Sequence, residues 1–256
     1  MLEYNPPMTP QDAAAPSAPA GMSEGARIVG VFFEPSKTFA DIARRPTWLL
    51  PLVLGIVAAM ALTAFYGQHI GWERIVRRQV ETSSQAQQIP ADQKEQRIAA
   101  GARLAPVIGY AAPVIFAPLY CLLAAGIFTG LVAGVMSAPV KFKQSLAVVT
   151  WAGLPNLIVA ALSAVVVFLK NPDDVDVQNP LMFNVGAYMD AEHGSKFLHS
   201  MATSIDLFSF WVIFLMATGL KAAAGKKLSF GGALFAVVAP WAAYVLIKSA
   251  LAGVFG

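Results

Sequence analysis

Cysteine is almost missing from this sequence, with one in 256 residues, and histidine occurs only three times. That scarcity excludes a disulfide framework and leaves too few soft ligands for a zinc module. Cys121 itself lies inside an apolar run and reads as filler. Charge is scarce too: Asp, Glu, Lys and Arg make up 13% of the chain, against about 25% in ordinary soluble domains. The net charge of +3 comes from small clusters beside apolar runs rather than from one basic face, so nucleic acid binding finds no support. No Asn-x-Ser/Thr sequon occurs, and no cationic start leads into a short apolar core. Glycosylation and a cleaved leader are therefore not indicated, and the first span is expected to direct its own insertion.

What fills the space is hydrophobic: 57% of the residues are apolar. That composition predicts a polytopic all-α integral membrane protein, five helices in one bundle with short interfacial helices before the first span. The clearest stretch is Pro118 to Met136, nineteen residues without a charge. As a helix it rises about 28 Å, close to the roughly 30 Å of a bilayer's hydrocarbon core. Gly126, Gly130 and Gly134 recur at every fourth position and form a flat stripe, a seam along which another helix can approach closely. The uncharged stretch as a whole runs from Leu104 to Met136, too long for a simple crossing. Pro106, Pro113 and Pro118 fall in its first half, so a bent or surface-lying approach from residue 104 is expected before the span at 118–136.

Residues 1–25 hold five prolines among alanine, serine and glutamine and read as a disordered tail, with the membrane domain covering 26–256. Between Ala26 and Arg45 two short apolar segments flank Glu34-Pro35, with Arg27, Lys37, Arg44 and Arg45 at their edges. Such segments suit the membrane surface or the cytoplasmic end of the bundle equally well. The first span is predicted over 47–66, with Trp48 and Tyr66 at the two interfaces. Beyond it, a helical stripe of Trp72, Ile75, Val76 and Val80 continues past the membrane, breaks over 83–88 and returns from Pro90 as a charged hairpin.

The third span, 146–169, contains Gly153-Leu154-Pro155-Asn156. Pro155 removes a backbone donor, predicting a kink that faces protein, as packing device or as hinge, with the Asn156 amide available to the freed carbonyl. The loop after it is acidic, and Asp190, Glu192, His193 and His199 match no established metal spacing. The fourth span covers 205–220 and opens on Asp206, either an amino-terminal helix cap or a buried, functional carboxylate. The fifth, 230–255, carries Pro240 as a second kink and Lys248, expected to snorkel outward or to meet Asp206. Asn156, Asp206 and Lys248 are the candidate polar groups inside the membrane. No catalytic constellation and no cofactor motif appears, so no enzyme is indicated. An intramembrane hydrolase has only the His193 and His199 loop in its favour.

An amino terminus on the inner side gives inner segments with nine Lys and Arg and outer loops with eight. Both short connections carry lysines without acids, and the long acidic loop lies opposite them, so the amino terminus is placed in the cytoplasm and the carboxyl terminus outside. Three segments add a resemblance: Glu34-Pro35-Ser-Lys-Thr-Phe39-Ala-Asp-Ile42, Lys141-Phe-Lys-Gln through Gly153-Leu-Pro155, and Ser204-Ile-Asp206-Leu-Phe-Ser-Phe-Trp211 through Gly219-Leu220. Together they resemble the Yip family of membrane proteins, named for interacting with Ypt/Rab GTPases, and in particular its bacterial branch. The resemblance implies a five-span membrane domain, a cytoplasmic amino terminus, a bacterial cytoplasmic membrane and a part in membrane trafficking or organisation. Two functions remain open. One is a non-enzymatic scaffold that self-associates, contacts the lipid bilayer and recruits protein partners through its amino-terminal region. The other is a small-solute or ion transporter using kinked helices and Asp206.

Overall fold

Ser23 accepts a hydrogen bond from the Ala26 amide at 3.2 Å and starts the first helix, α1 (Glu24–Phe33). Pro35 then occupies the first position of α2 (Pro35–Arg44), where its missing donor costs nothing. This computed structural model describes residues 21–83, 89–172, 175–189 and 194–255. Most of the expected tail, 1–20, and the acidic-loop residues Asp173, Asp174, Asp190, Glu192 and His193 lie outside the described residues.

Among the described residues all regular structure is helical apart from one isolated bridge, and five stretches are long and apolar enough to cross a membrane. They are Leu49–Glu81, Ala91–Val135, Phe142–Leu169, Leu207–Lys227 and Phe230–Val254. The first combines α3 (Leu49–Tyr66), a π turn at Gly67–Gly71 and α4 (Trp72–Glu81), so the helix does continue beyond the membrane. The second is α5 (Ala91–Thr129) prolonged by a π turn, Gly130–Val135. Its 45 residues measure about 68 Å, more than twice the hydrocarbon thickness.

The helix runs unbroken through residue 104 and the prolines that follow it. Pro106, Pro113 and Pro118 all lie inside α5 without ending it. Each removes one ladder bond, but α3 and α4 lie alongside and support the helix through its weakened part. A methyl group on Gly109 would lie 3.0 Å from Thr63 Cγ2, and Trp72 meets Tyr110 edge-on at 6.2 Å. The portion of α5 level with α3 therefore begins near Gly109, well before Pro118. Farther out, Arg77 of α4 grips both Glu95 oxygens of α5, at 2.7 and 3.0 Å.

Ser137, with φ 54°, turns the chain left-handed at the end of α5, and the Ala138 amide bonds back to the Val132 carbonyl at 3.0 Å. The third crossing, Phe142–Leu169, is made of α6 (Phe142–Ala152) and α7 (Pro155–Leu169) with a two-residue turn at Gly153 and Leu154 between them. After the short α8 (Lys196–Thr203) come α9 (Leu207–Ala224) and α10 (Phe230–Phe255). Pro240 lies within α10 and does not interrupt it.

The core gathers where α2, α6 and α9 meet. Phe39, Ile42, Trp151, Leu154, Leu215 and Leu220 are all buried there. The contact is close because α9 carries Gly219: a methyl group at that position would lie 2.6 Å from Val148 Cγ1 and 2.9 Å from Phe39 Cδ1. The glycine seam inside the bundle is thus at Gly219. Around Gly126, Gly130 and Gly134 nothing lies within 4 Å, and all three are exposed.

Candidate functional site

Two places in the molecule concentrate polar groups. The first is the end of the bundle that carries the amino-terminal helices. Arg27 of α1 is 2% exposed and donates through Nε and Nη2 to Asp41 Oδ2 of α2, at 2.9 and 2.7 Å. Its Nη1 donates to Thr47 Oγ1 at 2.7 Å and to Glu24 Oε1 at 3.3 Å, and Thr47 in turn donates to Glu24. Burial alone would push the Asp41 carboxyl up. The Arg27 hydrogen bonds, the Met22 amide and the charges of Arg27 and Arg44 outweigh burial and hold it below the usual carboxylate range. Two further bonds fasten the same corner to the bundle: Trp151 Nε1 donates to the Thr47 carbonyl at 2.8 Å, and Gln144 Nε2 to the Ala43 carbonyl at 2.9 Å. The amino-terminal helices therefore dock on the end of the bundle, and α1 keeps an outward strip with Val29 57% and Phe33 81% exposed.

From the sequence, Arg27 reads only as a flanking residue, and Asp41 has no role beyond its place in the Glu34–Ile42 segment. They lie on different helices, and only the fold-back of the proline-started α2 onto α1 brings them together. The buried arginine in an otherwise apolar segment was the available signal.

The second place is a cavity of about 730 Å³ at the opposite end, between α5, α7, α9, α10 and the segment before α8. Its mouth is polar, with Gln178, Asn179, Asn184, Thr203, Asp206 and Ser209. Its deeper wall is apolar, with Phe128, Ile213, Met216 and Val237. The loop is fixed there by its own bonds: Asn184 pairs with Asp206 as an isolated bridge, and the Val185 amide donates to the Ile205 carbonyl at 3.2 Å.

Of the residues singled out from sequence, Asn156, Asp206 and Pro240 all line this cavity. Asp206 also caps α9: its Oδ1 accepts from the Phe208 and Ser209 amides, both at 2.9 Å, and its Oδ2 from the Ser209 hydroxyl. The cap and the cavity wall are the same carboxylate. Asn156 owes its position to the break before it. Gly153 and Leu154 turn, Pro155 starts α7, and the Asn156 amide donates to the Gly153 carbonyl at 3.0 Å. Pro155 is buried, and the Asn156 side chain is exposed and forms no hydrogen bond to the described residues. Lys248 does not join them. It donates to Ser204 Oγ at 2.9 Å beside the mouth, and the expected meeting with Asp206 does not occur.

Against a family model described as Yip1 domain, residues 29–251 match. The chain belongs to the Yip1 domain family. The match takes in the second half of α1, all of α2 and the five spans as far as Leu251, so Asp41 and the cavity fall inside the Yip1 domain, while Glu24 and Arg27 stand just before it. Comparison with curated proteins and with solved structures finds no match.

Proposed function

We propose that this Yip1 domain protein is a non-enzymatic membrane scaffold that organises the bilayer or recruits partners, with its amino terminus on the cytoplasmic side of a bacterial cytoplasmic membrane and its carboxyl terminus outside. The observation that carries this reading is the mounting of the amino-terminal helices. Arg27 and Asp41 lock α1 to α2, Phe39 and Ile42 seat α2 in the core, and Val29 and Phe33 remain outward beside Lys37 and Arg44. A rigid platform with an apolar strip and flanking bases suits contact with a membrane surface and with proteins bound there. The placement of charge supports the inward amino terminus: this end of the bundle carries Lys141, Lys143, Lys221, Lys226 and Lys227 in its short connections.

Self-association belongs to the same reading, through the open stripe at Gly126, Gly130 and Gly134. Gly130→Leu should leave the monomer's thermal stability unchanged, because nothing in the chain lies against it, and should remove cross-linked dimers in native membranes. Phe33→Glu should remove the partners recovered with wild type. Dimers that survive the first change and partners that survive the second would end the scaffold reading.

The transporter reading has one observation in its favour, the gathering of Asn156, Asp206 and Pro240 on one cavity. Below that cavity stand Trp151, Leu154 and Leu215, all fully or almost fully buried. Flux into sealed vesicles decides between them: the scaffold reading expects background leak for wild type and Asp206→Asn alike, and transport expects a wild-type flux that the variant loses.

A further inference from the structure

We propose that the cavity between α5, α9 and α10 is a binding site for a neutral single-chain lipid of the monoacylglycerol type, taken laterally from the bilayer. Its size of about 730 Å³ falls in the range of sites that enclose a small ligand, roughly 300–1,000 Å³. Four features select the occupant.

The first is the way in. Tyr120 on α5 and Tyr244 on α10 line the cavity and are also 59% and 62% exposed. They mark a rim on the lipid-facing side, where apolar chains are the solvent.

The second is the gradient along the walls, from amides and hydroxyls at the mouth to Phe128, Ile213 and Met216 deeper in. A polar head at the loop end with a chain running toward the middle of the bundle matches that gradient.

The third is charge. Among the described residues no lysine or arginine lines the cavity, and the one carboxylate that does is Asp206, whose oxygens are already held by the α9 amides and Ser209. A phosphate or a fatty-acid carboxylate would meet the Asp206 carboxylate on the wall, with the nearby Lys248 ammonium held outside the lining on Ser204, whereas an uncharged hydroxyl head meets hydroxyls and amides it can both donate to and accept from.

The fourth is Asn156. Its amide lies at the middle of the third crossing, faces the cavity, and has no partner among the described residues. An unpaired amide at that depth is costly in lipid, and an ester carbonyl between head and chain would accept from it. A second, smaller hollow of about 220 Å³ reaches toward α3 and shares Tyr120, Asn156, Val212 and Met216 with the first, which gives the chain room beyond Asn156.

The test uses the full chain in phosphatidylcholine nanodiscs doped with a diazirine-bearing monoacylglycerol. Photolabel should map to α5, α9 and α10 residues that face the cavity, and unlabelled monoolein should compete where oleate and phosphatidylglycerol do not. Ile213→Trp, which fills the cavity, should abolish the mapped label while circular dichroism and the unfolding midpoint report a folded bundle. Asn156→Leu should weaken labelling about fivefold, the value of one hydrogen bond. Label spread evenly over the outer faces, or unchanged in a folded Ile213→Trp variant, would overturn the site. Equal competition by phosphatidylglycerol would overturn the neutral head. Should Ile213→Trp fail to fold, Met216→Phe carries the same test.

Discussion

The two ends of this bundle solve the same problem in opposite ways. At the amino-terminal end the main buried polar side chains are answered: Arg27 by Asp41, Thr47 and Glu24, Trp151 by a carbonyl, Gln144 by a second one. At the loop end polar groups line a hollow, and Asn156 finds no partner among the described residues. Closure at one end comes from a glycine that brings three helices together, and openness at the other from a proline that separates two. A membrane bundle whose spans have no hydrophobic drive toward each other therefore takes its rigidity from a few polar and steric locks gathered in one place.

That contrast breaks most sharply at the ion pair. Arg27→Met or Asp41→Ala takes the closest partner from a buried charge and is expected to lower stability by about 3 kcal/mol, read as the thermal unfolding midpoint in detergent. The same pair has a pH signature. Because Asp41 is held below its ordinary value, its contribution is fully present above about pH 4 and is lost as pH falls through the lowered value. Wild type should lose stability in that window, and Asp41→Asn should show a flatter profile. Next in size is Gly219→Ala, expected to cost about 1–3 kcal/mol because a methyl group meets Val148 and Phe39, both stiff. Gly130→Ala, with open space around it, is its control and should leave the midpoint in place.

The hollow end should respond less. Asp206→Ala removes the cap of α9 and is expected to cost about 1 kcal/mol. Asn156→Leu, with no hydrogen bond to lose, should stay within about 0.5 kcal/mol. A large loss at Asn156 together with a small one at Gly219 would reverse the comparison.

The sequence made the spans legible because lipid demands long uncharged runs, and those runs are visible without any partner. It also marked Asn156, Asp206 and Pro240, which converge. What remained hidden depends on distance along the chain. Gly219 looks like any glycine in an apolar helix until α2 and α6 are brought against it, whereas the periodic Gly126, Gly130 and Gly134 draw the eye and face outward. The three prolines of α5 are of the same kind: their local effect is to weaken a helix, and the α3 and α4 that lie along it are encoded elsewhere.

The interruption at Gly153 and Leu154 bears on how the chain is made. Neither half of the third crossing reaches across the hydrocarbon alone: 11 residues of α6 rise about 17 Å and 15 residues of α7 about 23 Å. Only the two pieces end to end, the 28 residues Phe142–Leu169, are long enough to cross, so they are expected to enter the bilayer as one unit.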